Sequence, residues 1–130
     1  MKYAVRYYSR SGNTKRVAEA IAEELGVEAL SVKDEQASIE EQVDILYIGG
    51  ALYAYGIDEN LQTYLNTLTS DKVKKAVVFS TSWISKHAID LIKTSLKDKG
   101  IEVEDDSFHS RGKPNSKALS KAKEFAKKYK

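Results

Sequence analysis

Residues 7–14 read Tyr7-Tyr8-Ser9-Arg10-Ser11-Gly12-Asn13-Thr14. Ser9, Ser11 and Thr14 offer O–H donors, Asn13 an amide, and Gly12 a backbone free to turn its N–H groups inward. Such a set suits a phosphate dianion. An amphipathic pattern begins at Asn13, so a helix N-terminus with unpaired N–H groups and a positive dipole end should face the same spot. Neutral donors suffice there, with Arg10 and Lys15 adding attraction from the rim. The competing use of the same hydroxyls is plain helix capping. Two more segments combine glycine, hydroxyls and aromatics: Gly49-Gly50-Ala51-Leu52-Tyr53-Ala54-Tyr55-Gly56 and Ser80-Thr81-Ser82-Trp83.

The elements that must position these segments alternate along the chain. Residues 3–8 read as a strand. Residues 13–25 read as a helix with Val17, Ala18, Ile21, Ala22 and Leu25 on one face and Gly26 past its end. A short strand follows at 27–32, then a short helix at 34–42 with few apolar residues. An apolar strand at 43–48 ends at Gly49-Gly50. Asp58 caps a helix with Leu61, Tyr64, Leu65 and Leu68 inward. A strand at 76–79 runs into the Ser80 segment. Ile84, Ala88, Ile89, Ile92 and Leu96 drive a long helix that stops at Gly100. Residues 101–108 alternate as a sheet-edge strand, and a last helix buries Ala118, Leu119, Ala122, Phe125 and Ala126. Five strands alternating with five helices predict an α/β fold with a parallel sheet covered on both faces. Ligands in such sheets sit beyond the C-terminal strand ends, where all three segments fall.

The bulk composition fits one domain spanning 1–130 and sets limits on chemistry. Hydrophobic content is 42% and charged content 31%, ordinary for a globular protein. Cysteine is absent, which removes disulfide and thiolate chemistry. Two histidines far apart make a poor metal site. No apolar run reaches the ~20 residues of a membrane span, so the expected address is the cytoplasm. A net charge of +2 is too small to argue for nucleic acid. The lysines at 117, 121, 123, 127, 128 and 130 read as the wet face of the last helix.

The chain resembles the flavodoxin family. Ser9-Arg10-Ser11-Gly12-Asn13-Thr14 matches that family's phosphate pattern of hydroxyl, any residue, hydroxyl, Gly, any residue, Thr. A strand precedes it and a helix follows. The resemblance implies a three-layer, flavodoxin-like fold with strand order 2-1-3-4-5, and FMN as cofactor. It places flavin contacts on Ala51, Leu52, Tyr53, Ala54, Tyr55 and Gly56, and on Ser80, Thr81, Ser82 and Trp83. The residues suit that ligand, since rings on two facing loops could stack offset on an isoalloxazine. Gly56 would let a peptide there flip cheaply. Packing on neighbouring helices remains the alternative for the aromatics, and capping of the next helix for Ser80 to Ser82.

The leading function is an FMN-binding redox protein that carries electrons between partner proteins. The alternative on the same scaffold is an FMN-dependent oxidoreductase of quinone or porphyrinogen type. A response-regulator reading fails because Ser9 and Gly49 stand near where that class needs aspartates. A scaffold that has lost FMN is disfavoured by the intact hydroxyl loop. Several residues fit the frame less easily. Flavodoxin carriers are usually acidic and this chain is not, so Asp58 and Glu59 are the candidates for a local acidic patch. Arg6 falls in a strand that should be covered on both faces, where its head must pair with a carboxylate or reach water. His109 and Arg111, on a brief basic segment, could reach the flavin rim. His87 stands on the helix after Trp83.

Overall fold

Apolar runs with period-two burial build one parallel sheet. A computed structural model describes residues 1–53, 56–82 and 86–130. The expectations placed on Ala54, Tyr55, Trp83 and Ile84 lie outside the described residues. The strands are β1 (Tyr3–Tyr7), β2 (Ala29–Ser31), β3 (Val43–Gly50), β4 (Val73–Ser80) and β5 (Glu102–His109). The helices are α1 (Asn13–Leu25), α2 (Glu59–Thr67), α3 (His87–Asp98) and α4 (Ser116–Lys127). The strand order is β2-β1-β3-β4-β5, and every pair is parallel. This is the flavodoxin-like α/β fold expected from the sequence.

Alternate residues of each strand serve opposite faces. Val5, Tyr7, Ile45, Tyr47, Val77 and Phe79 pack under α1 and α4. Ala4, Leu46, Ile48, Ala76 and Val78 pack under α2 and α3. The two glycines at the end of β3 belong to this packing. They extend the strand to Gly50, two residues past its expected end, because neighbours fill the space above each. A Cβ on Gly49 would lie 2.3 Å from the Phe79 ring, and one on Gly50 would lie 2.5 Å from Leu61 Cδ2.

Among the described residues four α-helices form, not five. Segment 34–42 yields only a 3₁₀ turn, Glu35–Ala37, capped by Asp34, whose carboxylate accepts the Gln36 N–H at 2.8 Å. Ala37 is the buried residue of that turn, so no apolar stripe exists to hold a longer helix against the sheet. β2 shrinks to three residues at the opposite sheet edge from β5. β5 runs out of step with β4, since Ala76 pairs with Val103 and Val78 with Ser107. The extra residues on β5 fall in its acidic run, which faces water.

Arg6 resolves differently from both sequence alternatives. It is buried in β1, neither at the surface nor held by a carboxylate. Its Nε donates to the Ala37 carbonyl at 2.7 Å and Nη1 to the Val5 carbonyl at 3.0 Å. The Tyr64 hydroxyl donates to the same Ala37 oxygen at 2.5 Å. Arg6 and Tyr64 together pin the 3₁₀ turn over the sheet.

The Gly49 contact yields a test. Phe79 is fully buried and cannot swing away. Gly49→Ala is expected to destabilise the fold by about 1–3 kcal/mol through overpacking. Adding Phe79→Leu should recover part of that loss. Urea unfolding of the single and double variants measures both.

Candidate functional site

Three loops leave the adjacent ends of β1, β3 and β4. β1 lies between β2 and β3, so the winding reverses there, which opens a crevice at the strand ends.

The first loop opens α1 without closing its end. Gly12 is the N-cap, at φ 93°, and no side chain caps the helix. That left-handed backbone favours glycine, and the position of a Cβ there has no neighbour within 4 Å. Ser9 Oγ accepts the Gly12 N–H at 2.9 Å, which shapes the loop and leaves the Ser9 O–H to donate elsewhere. Ser11 Oγ takes the Asn13 N–H only at 3.4 Å. By contrast, Asp58 caps α2 and Asn115 caps α4. The capping reading of Ser9, Ser11 and Thr14 therefore does not account for them.

Thr14 is buried and its Oγ1 lies 2.6 Å from Thr81 Oγ1. One of the two O–H groups makes that bond and the other is left over. The third loop repeats the theme. Ser80, Thr81 and Ser82 are all buried. Ser80 Oγ lies 3.2 Å from Ser82 Oγ, and Ser82 Oγ accepts the Leu52 N–H at 2.8 Å. These hydroxyls do not cap α3, whose N-cap is Lys86. They tie the third loop to α1 on one side and to the second loop on the other. Sequence reasoning missed this linkage. The available signal was three consecutive hydroxyls directly after the apolar run 76–79, where burial obliges each to find a partner.

The second loop doubles back on itself. Tyr53 N–H donates to Gly56 O at 2.7 Å, and Gly56 N–H to Tyr53 O at 3.0 Å. Gly56 sits at φ 116°, backbone that favours glycine. Ala51 and Tyr53 are half-buried, and Leu52 packs its side chain into the core beneath α2 and α3.

Arg10 joins the first loop to the second. Its Nε and Nη2 both donate to Asp58 Oδ2, at 3.0 and 2.6 Å. Its guanidinium carbon stands 3.8 Å from the centre of the Tyr53 ring, a cation–π stack. Asp58 Oδ1 meanwhile accepts the Asn60 backbone N–H at 2.7 Å. Burial pushes the Asp58 carboxyl up, but the Asn60 and Arg10 hydrogen bonds outweigh it and hold Asp58 below the ordinary carboxylate range. Arg10 is thus engaged with Asp58 and Tyr53, and one expectation changes. Asp58 is buried beneath it, so of the proposed acidic patch only Glu59 is exposed.

His87 is exposed at the first position of α3. His109 and Arg111 line a separate cleft along β5 and α4. Among the described residues no cluster of His, Cys, Asp or Glu could hold a metal. No helix among them is long and apolar enough to cross a membrane.

A doubly wound parallel sheet with a polar, ligand-ready crest at its switch point defines the class. Within that class, the family model described as a flavodoxin domain matches residues 4–120, and the chain belongs to that family. It is 27% identical to an uncharacterized protein of Methanocaldococcus jannaschii, covering 98% of this chain and 97% of that one. It is 33% identical to a putative diflavin flavoprotein of Nostoc, over 92% of this chain but only 23% of that protein's length. Among solved structures, a flavodoxin from the domain Archaea superposes with a TM-score of 0.76 at 26% identity, covering 97% and 94% of the two chains.

The Arg10–Asp58 pair predicts a pH effect. Asp58 has a folded pKa below its unfolded value, so its contribution is complete above the unfolded pKa. That contribution disappears as pH falls through the folded pKa, below about pH 4. Asp58→Asn keeps a good N-cap but removes the charge. The stability gap between wild type and Asp58→Asn, measured by urea unfolding, should therefore narrow from pH 6 towards pH 3.

Proposed function

We propose that the crest binds FMN and that the chain carries electrons between protein partners. The observation that supports this most directly is the open N-terminus of α1, set behind a loop of serines whose O–H groups are not spent on capping. An anionic phosphate is the ligand that such an end accommodates. The donor set fits: Ser9, Ser11 and Thr14 would supply hydroxyls, and the Gly12 to Thr14 backbone would supply N–H groups. Tyr53, backed by Arg10, would present a ring face to the flavin. Ala51, Leu52 and Gly56 shape that wall, and Ala54, Tyr55 and Trp83 complete it in this reading.

Bound FMN would supply reversible electron uptake, chemistry that belongs to the cofactor. The protein's part is positioning. Thr81 holds Thr14, and Ser82, with Ser80 beside it, holds the Leu52 backbone, so the phosphate end and the ring end keep a set separation. Asp58 holds Arg10 against Tyr53 and keeps that guanidinium from competing for the phosphate. The similarity to flavodoxins and to part of a diflavin flavoprotein supports the redox reading.

Fluorescence quenching on titration tests the site. Ser11→Ala and Thr14→Ala should each weaken FMN by about tenfold or more, the loss of a hydrogen bond to a charged group. Riboflavin, which lacks the phosphate, should lose less affinity than FMN in both variants. Equal losses for both ligands would remove the phosphate assignment. Stopped-flow reduction separates carrier from enzyme: a carrier stays oxidised with NAD(P)H alone and turns over only with a protein reductase. Quinone turnover without one would favour the oxidoreductase reading instead.

A further inference from the structure

A cleft of about 590 Å³ runs between β5 and α4, apart from the crest. Its floor is apolar: the Phe108 and Phe125 rings lie 5.8 Å apart, tilted at 48°. Its rim is cationic, formed by Lys86, Arg111, Lys121 and Lys128, with Asp106 and Glu124 as the carboxylates. Asp106 is already engaged, accepting from Lys128 Nζ at 3.1 Å and Tyr129 Oη at 3.3 Å. The Lys128 hydrogen bond holds Asp106 below the ordinary carboxylate range. The side chains of Lys86, Arg111 and Lys121 make no ion pair or hydrogen bond among the described residues. Three cations thus stand around an apolar floor with no internal counter-charge bound to them.

A second observation points into the same cleft. His109 Nε2 is buried and has no hydrogen-bond partner. Burial pushes the imidazole pKa down, and the Lys86 and Arg111 charges push it further, against the Ser82 backbone. The ring lines the cleft, while Nε2 itself is closed off within the wall. The cleft also adjoins the crest: His109 is in register with Ser80, and Ser110 N–H donates to Ser80 O at 3.0 Å.

We propose that this cleft docks an acidic protein segment carrying an apolar side chain. Carboxylates would meet Lys86, Arg111 and Lys121, and the apolar side chain would cover the half-buried Phe108 ring beside His109. A small anion matches only the rim, and an apolar peptide only the floor. Resting on the electron-carrier reading, the segment belongs to the redox partner, which then docks beside the third loop. The chain would meet its partner through a basic face.

Amide chemical-shift mapping tests this with the full chain, with and without FMN. The probes are a heptapeptide of Glu and Asp with one central Phe, its Lys-substituted counterpart, and inorganic phosphate. The acidic peptide should move the amides of Phe108, His109 and Lys121, and lose affinity as salt rises. Arg111→Glu combined with Lys121→Glu should weaken it about tenfold or more, with FMN affinity unchanged. Equal binding of the Lys peptide, the same shifts from phosphate alone, or no localised shift would each overturn the docking site. Absence of FMN binding would sink the proposed function instead, while the peptide arm still decides the cleft.

Discussion

A hydroxyl pair buried at the crest of the sheet, Thr14 against Thr81, sets the distance between α1 and the end of β4. The bond spans 67 residues of chain and lies where neither group can turn to water. Breaking it would strand at least one polar atom in the interior, and that penalty exceeds the modest net value of the bond itself. Ser82 extends the same logic to the Leu52 backbone. Three loops that would otherwise drift independently are thereby referenced to one strand end. The apolar layers beneath make this possible, because fully buried Phe79 and Val78 hold the third loop rigidly in place.

Charge at the crest is handled by pairing within it. Arg10 could have been the residue that draws an anion in. Instead it lies along the seam between two loops, bonded to a buried carboxylate and stacked on an aromatic ring. A guanidinium serves here because its planar fork can bond a carboxylate and present a flat face at once. A lysine at the same place would keep the charge but lose the stack. The loop before α1 presents neutral hydroxyls, with Lys15 exposed in the first turn of the helix.

The sequence made the sheet and all four α-helices of the described residues legible because their apolar periods are strong. α1 was readable to the residue, bounded by Gly12 and Gly26, both of which adopt positive φ. The 34–42 segment was misread because its helix-compatible residues lack an apolar face, and propensity without burial does not sustain a helix. At the site, the phosphate-type loop was visible as a local pattern. The partners of Arg10, Arg6 and the Ser80–Ser82 run were not, since each bond joins residues distant in sequence. Asp58 shows the difference well. Its role as a cap is local and was predicted, whereas its burial under Arg10 depends on two loops meeting.

The helix ends reveal where stability has been withheld. α2 and α4 each begin with a side chain that accepts a backbone N–H, a feature worth about 1 kcal/mol. α3 lacks such a cap but carries Asp90 in its first turn, which suits the dipole. α1 has neither a side-chain cap nor an acidic residue in its first turn, although serines stand one and three positions before Gly12. Those serines shape the loop and leave the helix end open. A ligand that binds only the folded state returns such a deficit in proportion to its concentration over its dissociation constant. Were the proposed phosphate to bind there, occupancy and fold stability would be coupled at the α1 terminus.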